Sequence, residues 1–278
     1  MRSSRKLRRT GLVALAGAAV VLAGCSDDQA DPAQQGEQSQ GGVFYGTARD
    51  VGNGTVRTFV TLDADGNPTD VGMRMSESAL DGLPGELDTP SEVFQLDLPE
   101  QASATAFEFA TLDWNPHGHI PPGVFDKPHF DTHFFMVDED AVAEVDPANP
   151  DYAAMAERVP DGKYIPQDYV TPPEPPLAVQ AQPMMGVHWV DSTEPLTPGE
   201  FDFTEVFVNG TWDGEYSFME PMMTREWLLT KPQIQEPIKQ PQAYQKTGYY
   251  PTTVSVGYDA QAHEYVVGLG EMVMRQAS

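Results

Sequence analysis

From residue 43 onward the chain is written in short runs of alternating apolar and polar residues. In 55–62, Val56, Val60 and Leu62 share one parity while Thr55, Arg57 and Thr61 take the other, the period-two signature of a strand with one buried face. Further runs of this kind predict strands over 71–75, 92–98, 105–112, 128–137, 184–190, 203–208, 215–220, 252–258 and 264–269. Polar Gly/Pro connections at 63–68 and 209–214 read as hairpin loops. Helical spacing is confined to 76–83, 138–145, 150–159 and 224–229. Many short strands with Gly/Pro turns predict a mainly β protein, an antiparallel β-sandwich or barrel-like domain with a few short helices. The proline-laden segments 160–183 and 232–251 contain or adjoin several tyrosines, so they are expected to be ordered loops wrapped over the domain rather than linkers.

The N-terminal segment follows a different logic. Residues 1–24 carry five basic side chains and no acid ahead of a small-residue apolar run from 11 to 24, the layout of a secretory signal peptide. That run is shorter than the about 20 residues a spanning helix needs. Leu22-Ala23-Gly24-Cys25 looks like a lipobox, which makes Cys25 the lipidation site and leaves the mature chain anchored to a membrane. Arg8-Arg9 permits export by either the general or the twin-arginine route. Residues 25–42, rich in Asp, Gln, Ser and Gly, read as the lipidated cysteine and a disordered tether. Residues 43–278 then form one β-rich domain.

Composition narrows the functions. Cys25 is the sole cysteine, so an acylated chain has no thiol for disulfides, thiolate metal sites or nucleophilic catalysis. Five of the 16 basic residues lie in the signal, which leaves 11 against 42 acids and a mature charge near −31. Such a surface repels nucleic acid and anionic headgroups. No Gly-x-Ser-x-Gly elbow, phosphate loop or dinucleotide fingerprint is present. Asp63, Asp65 and Asn67 imitate a calcium loop, but Pro68 stands where glycine is required, and the segment reads as a turn.

Five of the six histidines fall between 117 and 188, in Trp114-Asn115-Pro116-His117-Gly118-His119-Ile120-Pro121, Pro128-His129-Phe130-Asp131-Thr132-His133-Phe134-Phe135 and Met185-Gly186-Val187-His188. Imidazoles interleaved with carboxylates and aromatics point to one polar site. On a strand His129, Asp131 and His133 share a face, but residues four apart lie about 13 Å from each other and hardly reach one ion. His133 is therefore expected as a ligand with His129 or Asp131 beside it. His188, Glu220 at the end of 215–220, and His119 in a proline-stiffened loop complete the set. The expected metal ligands are His119, His129, His133, His188 and Glu220, with Asp131 and His117 behind them. Zinc, iron, manganese and copper all suit such donors. Met184, Met185, Met219, Met222 and Met223 raise copper.

These strings, together with Gly54-Thr55-Val56-Arg57-Thr58-Phe59-Val60 and Glu220-Pro221-Met222, resemble an uncharacterised family of exported bacterial and archaeal proteins, a domain of unknown function. The resemblance implies a mainly β exported domain and no activity. Three readings remain open: a lipid-anchored extracytoplasmic protein with a divalent-metal site, a non-catalytic envelope or binding protein whose histidines form a structural polar core, and a periplasmic copper handler.

Overall fold

The computed structural model describes residues 41–85 and 90–278. The signal segment, Cys25 and all but the end of the tether lie outside the described residues. The strands are β1 (Gly42–Tyr45), β2 (Arg49–Val51), β3 (Gly54–Leu62), β4 (Pro68–Ser76), β5 (Glu92–Asp97), β6 (Phe109–Asn115), β7 (His129–Phe135), β8 (Tyr169–Val170), β9 (Val187–Asp191), β10 (Glu205–Trp212), β11 (Glu215–Thr224), β12 (Gln233–Pro237), β13 (Gly248–Tyr250), β14 (Thr253–Asp259), β15 (Glu264–Gly270) and β16 (Val273–Arg275). One seven-stranded sheet runs β1-β3-β4-β15-β14-β12 with β2 also on β3, a second runs β5-β6-β7-β11-β10-β9-β8, and β13 pairs with β16. The strand pairs within both large sheets are antiparallel, as period-two patterning predicts, and the sheets stack as a sandwich with no closed barrel.

The core between the sheets is apolar. Val56, Val71, Met73, Met75, Tyr265 and Val267 of the first sheet meet Leu112, Trp114, Phe130, Phe134, Met219 and Met223 of the second. Full burial of each such side chain contributes roughly 1.5–3 kcal/mol. The outer face of the first sheet meets solvent and carries ion pairs, Arg57 with Glu264 at 2.9 Å and Arg74 with Glu264 at 3.0 Å. The outer face of the second sheet is covered instead. Phe125 and Phe203 pack on Val206, Val208 and Met222, and α1 (Glu139–Ala143) brings Val142 against Phe109, Phe135 and Phe218. Beside it, α2 (Tyr152–Glu157) and α3 (Leu177–Gln180) set Tyr152 and Leu177 around Val187 and Trp212.

Local chemistry explains most boundaries. The turn at 63–67 closes on Asp63, whose Oδ1 accepts from the amides of Asp65 and Asn67. The β10–β11 turn needs only Asp213 (φ 51°) and Gly214 (φ 85°), a two-residue hairpin of the primed type, so β10 runs on through most of the expected loop. The expected helix at 76–83 is a 3-10 turn, Glu77–Leu80. α4 (Arg225–Leu228) is capped by the Thr224 hydroxyl. The proline-rich stretches hold β8, α3, β12 and β13 and are ordered.

Two strand ends differ from expectation. β6 occupies Phe109–Asn115 rather than 105–112, because 105–108 belongs to a turn in which Thr105 Oγ1 accepts from the Phe107 amide. β11 does not stop before Pro221 but continues to Thr224. Pro221 has no amide to donate. Opposite it Thr132 Oγ1 donates to the Pro221 carbonyl at 2.7 Å, and the β7–β11 register is the same on both sides of the interruption.

Candidate metal centre

Register places the chemistry. Asn115, Asp113 and Thr111 of β6 stand opposite His129, Asp131 and His133 of β7. On the other side of β7, Thr224 and Met222 of β11 face His129 and Asp131, and the same register sets Glu220 level with His133. Val208 of β10 pairs with Glu220, and Gly210 pairs with both Phe218 and His188 of β9. Alternation sends Phe130, Thr132 and Phe134 inward and the ionisable residues outward under the covering loops. Glycine is required at Gly210, where a Cβ would lie 2.0 Å from the Phe218 ring. That ring is thereby free to lie against both His133 and His188, at 4.9 and 5.1 Å between centroids.

The ionisable side chains fall into two groups, His119 with His129 and Asp131, and His133 with His188 and Glu220. Within each, the ligand atoms lie within 4.8 Å of one another. In the first group the rings are oriented by the backbone. His129 Nδ1 donates to the Lys127 carbonyl at 2.7 Å and His119 Nδ1 to the Ile120 carbonyl at 2.8 Å. A ring nitrogen facing a carbonyl carries the proton, so each neutral ring keeps its Nε2 lone pair. Those lone pairs point at Asp131, with His129 Nε2 3.1 Å from Oδ1 and His119 Nε2 3.2 Å from Oδ2. Asn115 Nδ2 donates to the same Oδ2 at 2.7 Å. Gly118, at φ 70°, turns the 116–128 loop so that His119 bridges back to Phe125.

In the second group His133 lies between carboxylates. Its Nδ1 is 3.2 Å from Asp113 Oδ2 and 3.3 Å from Thr111 Oγ1, and its Nε2 is 3.4 Å from Glu220 Oε1. Glu220 Oε2 reaches His188 Nε2 at 3.5 Å. Asp113, His133 and Glu220 are sealed, whereas the side chains of His119 and His188 keep 34% and 23% of their exposure. Those two rings form the solvent edge of the site.

Several of these atoms are close to a partner without being hydrogen-bonded. Both Asp113 oxygens, Asp131 Oδ1, His133 Nε2 and Glu220 Oε2 are buried and make no aligned hydrogen bond. An unpaired buried polar atom costs about 1–3 kcal/mol. Apart from the His119 Nε2–Asp131 Oδ2 hydrogen bond at 3.2 Å, these atoms converge without aligned protons between them, the geometry of ligands around a cation, and a coordinating imidazole characteristically donates its other nitrogen to a carbonyl or carboxylate. The donors present therefore fit a divalent metal.

Without a cation, proton affinities are displaced strongly. Burial alone would pull the His119 ring down, but its hydrogen bond to Asp131 and the Asp131 charge hold it up at about 9. Burial likewise opposes protonation of His133, and the Glu220 charge with the Asp113 contact outweighs it, again to about 9. Burial and the neighbouring His133 and His119 charges press His188 down to about 3. Burial raises Glu220 to about 8 against the pull of His133, and it raises Asp113. Burial is outweighed at Asp131, which the His129 and His119 rings hold below the carboxylate range.

The expected ligands are thus all in the covered layer, divided between two groups rather than gathered in one. Asp131 stands among the donors, not behind them. His117 is exposed and belongs to neither group. Gly186 makes room for the Thr211 carbonyl, 2.6 Å from where its Cβ would be. Asp113, Asn115 and Thr111 were not expected. Strand alternation carried three residues past 112 would have found Asp113 and Asn115. Met219 and Met223 are in the apolar core, Met184 is exposed, Met185 packs on the Phe109, Phe135 and Phe218 cluster beside His133, and Met222 is on the covered face opposite Asp131, so two of the five methionines lie on the histidine side of the sheet.

Fold and site together define an antiparallel β-sandwich with a covered histidine–carboxylate layer able to hold a metal. Residues 63–114 match the model of a family described as TTHB210-like, hypothetical protein TTHB210. That span includes β4, β5 and nearly all of β6 with Thr111 and Asp113, and it stops before the first histidine. The similarity is to an uncharacterised family, and of the histidine-bearing strings it reaches only Trp114. No curated protein and no solved structure matches the chain.

Proposed function

We propose that the protein binds a divalent transition metal, of the zinc, iron, manganese or copper class, through His119, His129, Asp131, His133, His188 and Glu220, in an exported chain anchored by lipid at Cys25. The observation that carries the metal reading is the convergence of Nε2 lone pairs and buried carboxylate oxygens that lack aligned hydrogen bonds. Buried charge is otherwise tolerated only when paired, and here a cation satisfies donors that different segments bring together within 4.8 Å of one another. A bound metal supplies a Lewis acid that lowers the pKa of coordinated water. Asp113 and Asn115 orient His133 and Asp131, and the aromatic walls exclude bulk solvent. The export reading rests on the basic start, the apolar run and Leu22-Ala23-Gly24-Cys25. The mature charge near −31 favours a partner other than nucleic acid.

Elemental analysis of the full-length chain, purified in detergent, tests the metal reading. Transition metal retained through desalting and lost in the His129→Ala, His133→Ala double variant supports it. A metal-free chain whose melting temperature ignores chelator and added ions supports instead a structural polar core, in which protonated His119 and His133 balance the carboxylates. Copper retained to the exclusion of the other metals supports copper handling. Radiolabelled palmitate incorporated in wild type and not in Cys25→Ser tests the anchor.

A further inference from the structure

The geometry points to two cation positions side by side, one held by His119, His129 and Asp131 and the other by His133, His188 and Glu220. This rests on the metal reading and sharpens its stoichiometry. Metal–nitrogen bonds of about 2.1 Å put two donors of one ion at most about 4.2 Å apart. The donor atoms form two separate sets, each within 4.8 Å internally, and along β7 His129 and His133 are about 13 Å apart. One ion therefore serves one group and leaves the other with its buried defects, Asp131 Oδ1 in the first or His133 Nε2 and Glu220 Oε2 in the second.

Each group is complete by itself. Both comprise two imidazoles and one carboxylate, a donor set that binds a metal and leaves coordination positions open. Each has its own support, Asn115 donating to Asp131 and Asp113 beside His133. Each also has one ring at the solvent edge, His119 or His188, through which a cation enters independently. The two positions share the β7 backbone and no ligand.

The test is zinc stoichiometry in the full-length chain, loaded with excess Zn²⁺, desalted and measured by mass spectrometry. Wild type is expected to retain about two zinc ions per chain, His119→Ala and His188→Ala about one each, and the double variant close to none, with unchanged circular dichroism. His119→Gln and His188→Gln repeat the measurement should an alanine variant misfold. One zinc in wild type, or a single variant that empties both positions, overturns the two-position inference and leaves the metal reading standing. Zinc retained by the double variant overturns the assignment of ligands. No zinc in wild type overturns the metal reading itself.

Discussion

The two faces of β7 are equally buried and chemically opposite. Phe130, Thr132 and Phe134 face the sandwich core; His129, Asp131 and His133 face the covering loops; and all six are at most 3% exposed. The inner face is stabilised by removal of apolar surface from water, which asks nothing of angle. The outer face holds groups that lose hydration on burial and recover it only through directed partners. Burial alone therefore does not distinguish core from site. What distinguishes them is whether the polar atoms find aligned partners, and on the outer face several do not.

The largest expected effect breaks the inner face. Phe130→Ala, at a fully buried position against Trp114, should cost about 3–5 kcal/mol in chemical unfolding. That loss should be the same with and without chelator, and a chelator-dependent loss would show that the faces are not independent. Next, metal should stabilise only through the outer face. With zinc at 100 times its Kd, chelation should remove about 2.7 kcal/mol for each occupied position from wild type and almost nothing from the His129→Ala, His133→Ala double variant. An equal loss in both would place the metal elsewhere.

A smaller effect concerns pH. In the metal-free chain His119 and His133 are raised to about 9 and Glu220 to about 8, so the folded state holds protons that the unfolded state has released. The histidine contribution is complete below the ordinary histidine value of about 6.5 and is lost as pH rises toward 9, while the Glu220 contribution is complete only below about 4.5 and is lost by about 8. His188, lowered to about 3, titrates below that window and does not offset it. Calorimetry should show the chelated protein losing stability between pH 6.5 and 9, while zinc, which requires neutral rings, reverses the slope. A flat chelated profile would contradict the imidazole–carboxylate contacts.

The smallest effect lies on the exposed side of the molecule. Glu77 is held at about 2 by Lys231 and Tyr258, with burial opposing only weakly, so its contribution is present above about 4.5 and fades as pH falls toward 2. Glu77→Gln should move the acid-unfolding midpoint slightly, and added salt should erase the difference. A salt-resistant shift would mean that the pair is buried in solution.

Much of this was legible in the residues. The His-Phe-Asp-Thr-His-Phe alternation separates the two faces of β7, and the rise per residue keeps His129 and His133 too far apart for a shared ion. Asp113 is hard to single out because it is one of 42 acids and follows the predicted end of the strand at 112. Pro221 misled for a definite reason. Proline normally closes a central strand, and only the Thr132 hydroxyl across the sheet shows how this one is accommodated.

By itself the sequence determined the mainly β architecture, the turns, and the fact that one face of β7 is ionisable, because these depend on a period of two and on local backbone preferences. Only the tertiary structure decided that this face is covered, that His119 joins His129 while His188 joins His133, and that Asp113 stands behind the latter. Those outcomes depend on strand order and loop closure between segments tens of residues apart, and neither leaves a periodic trace in the chain.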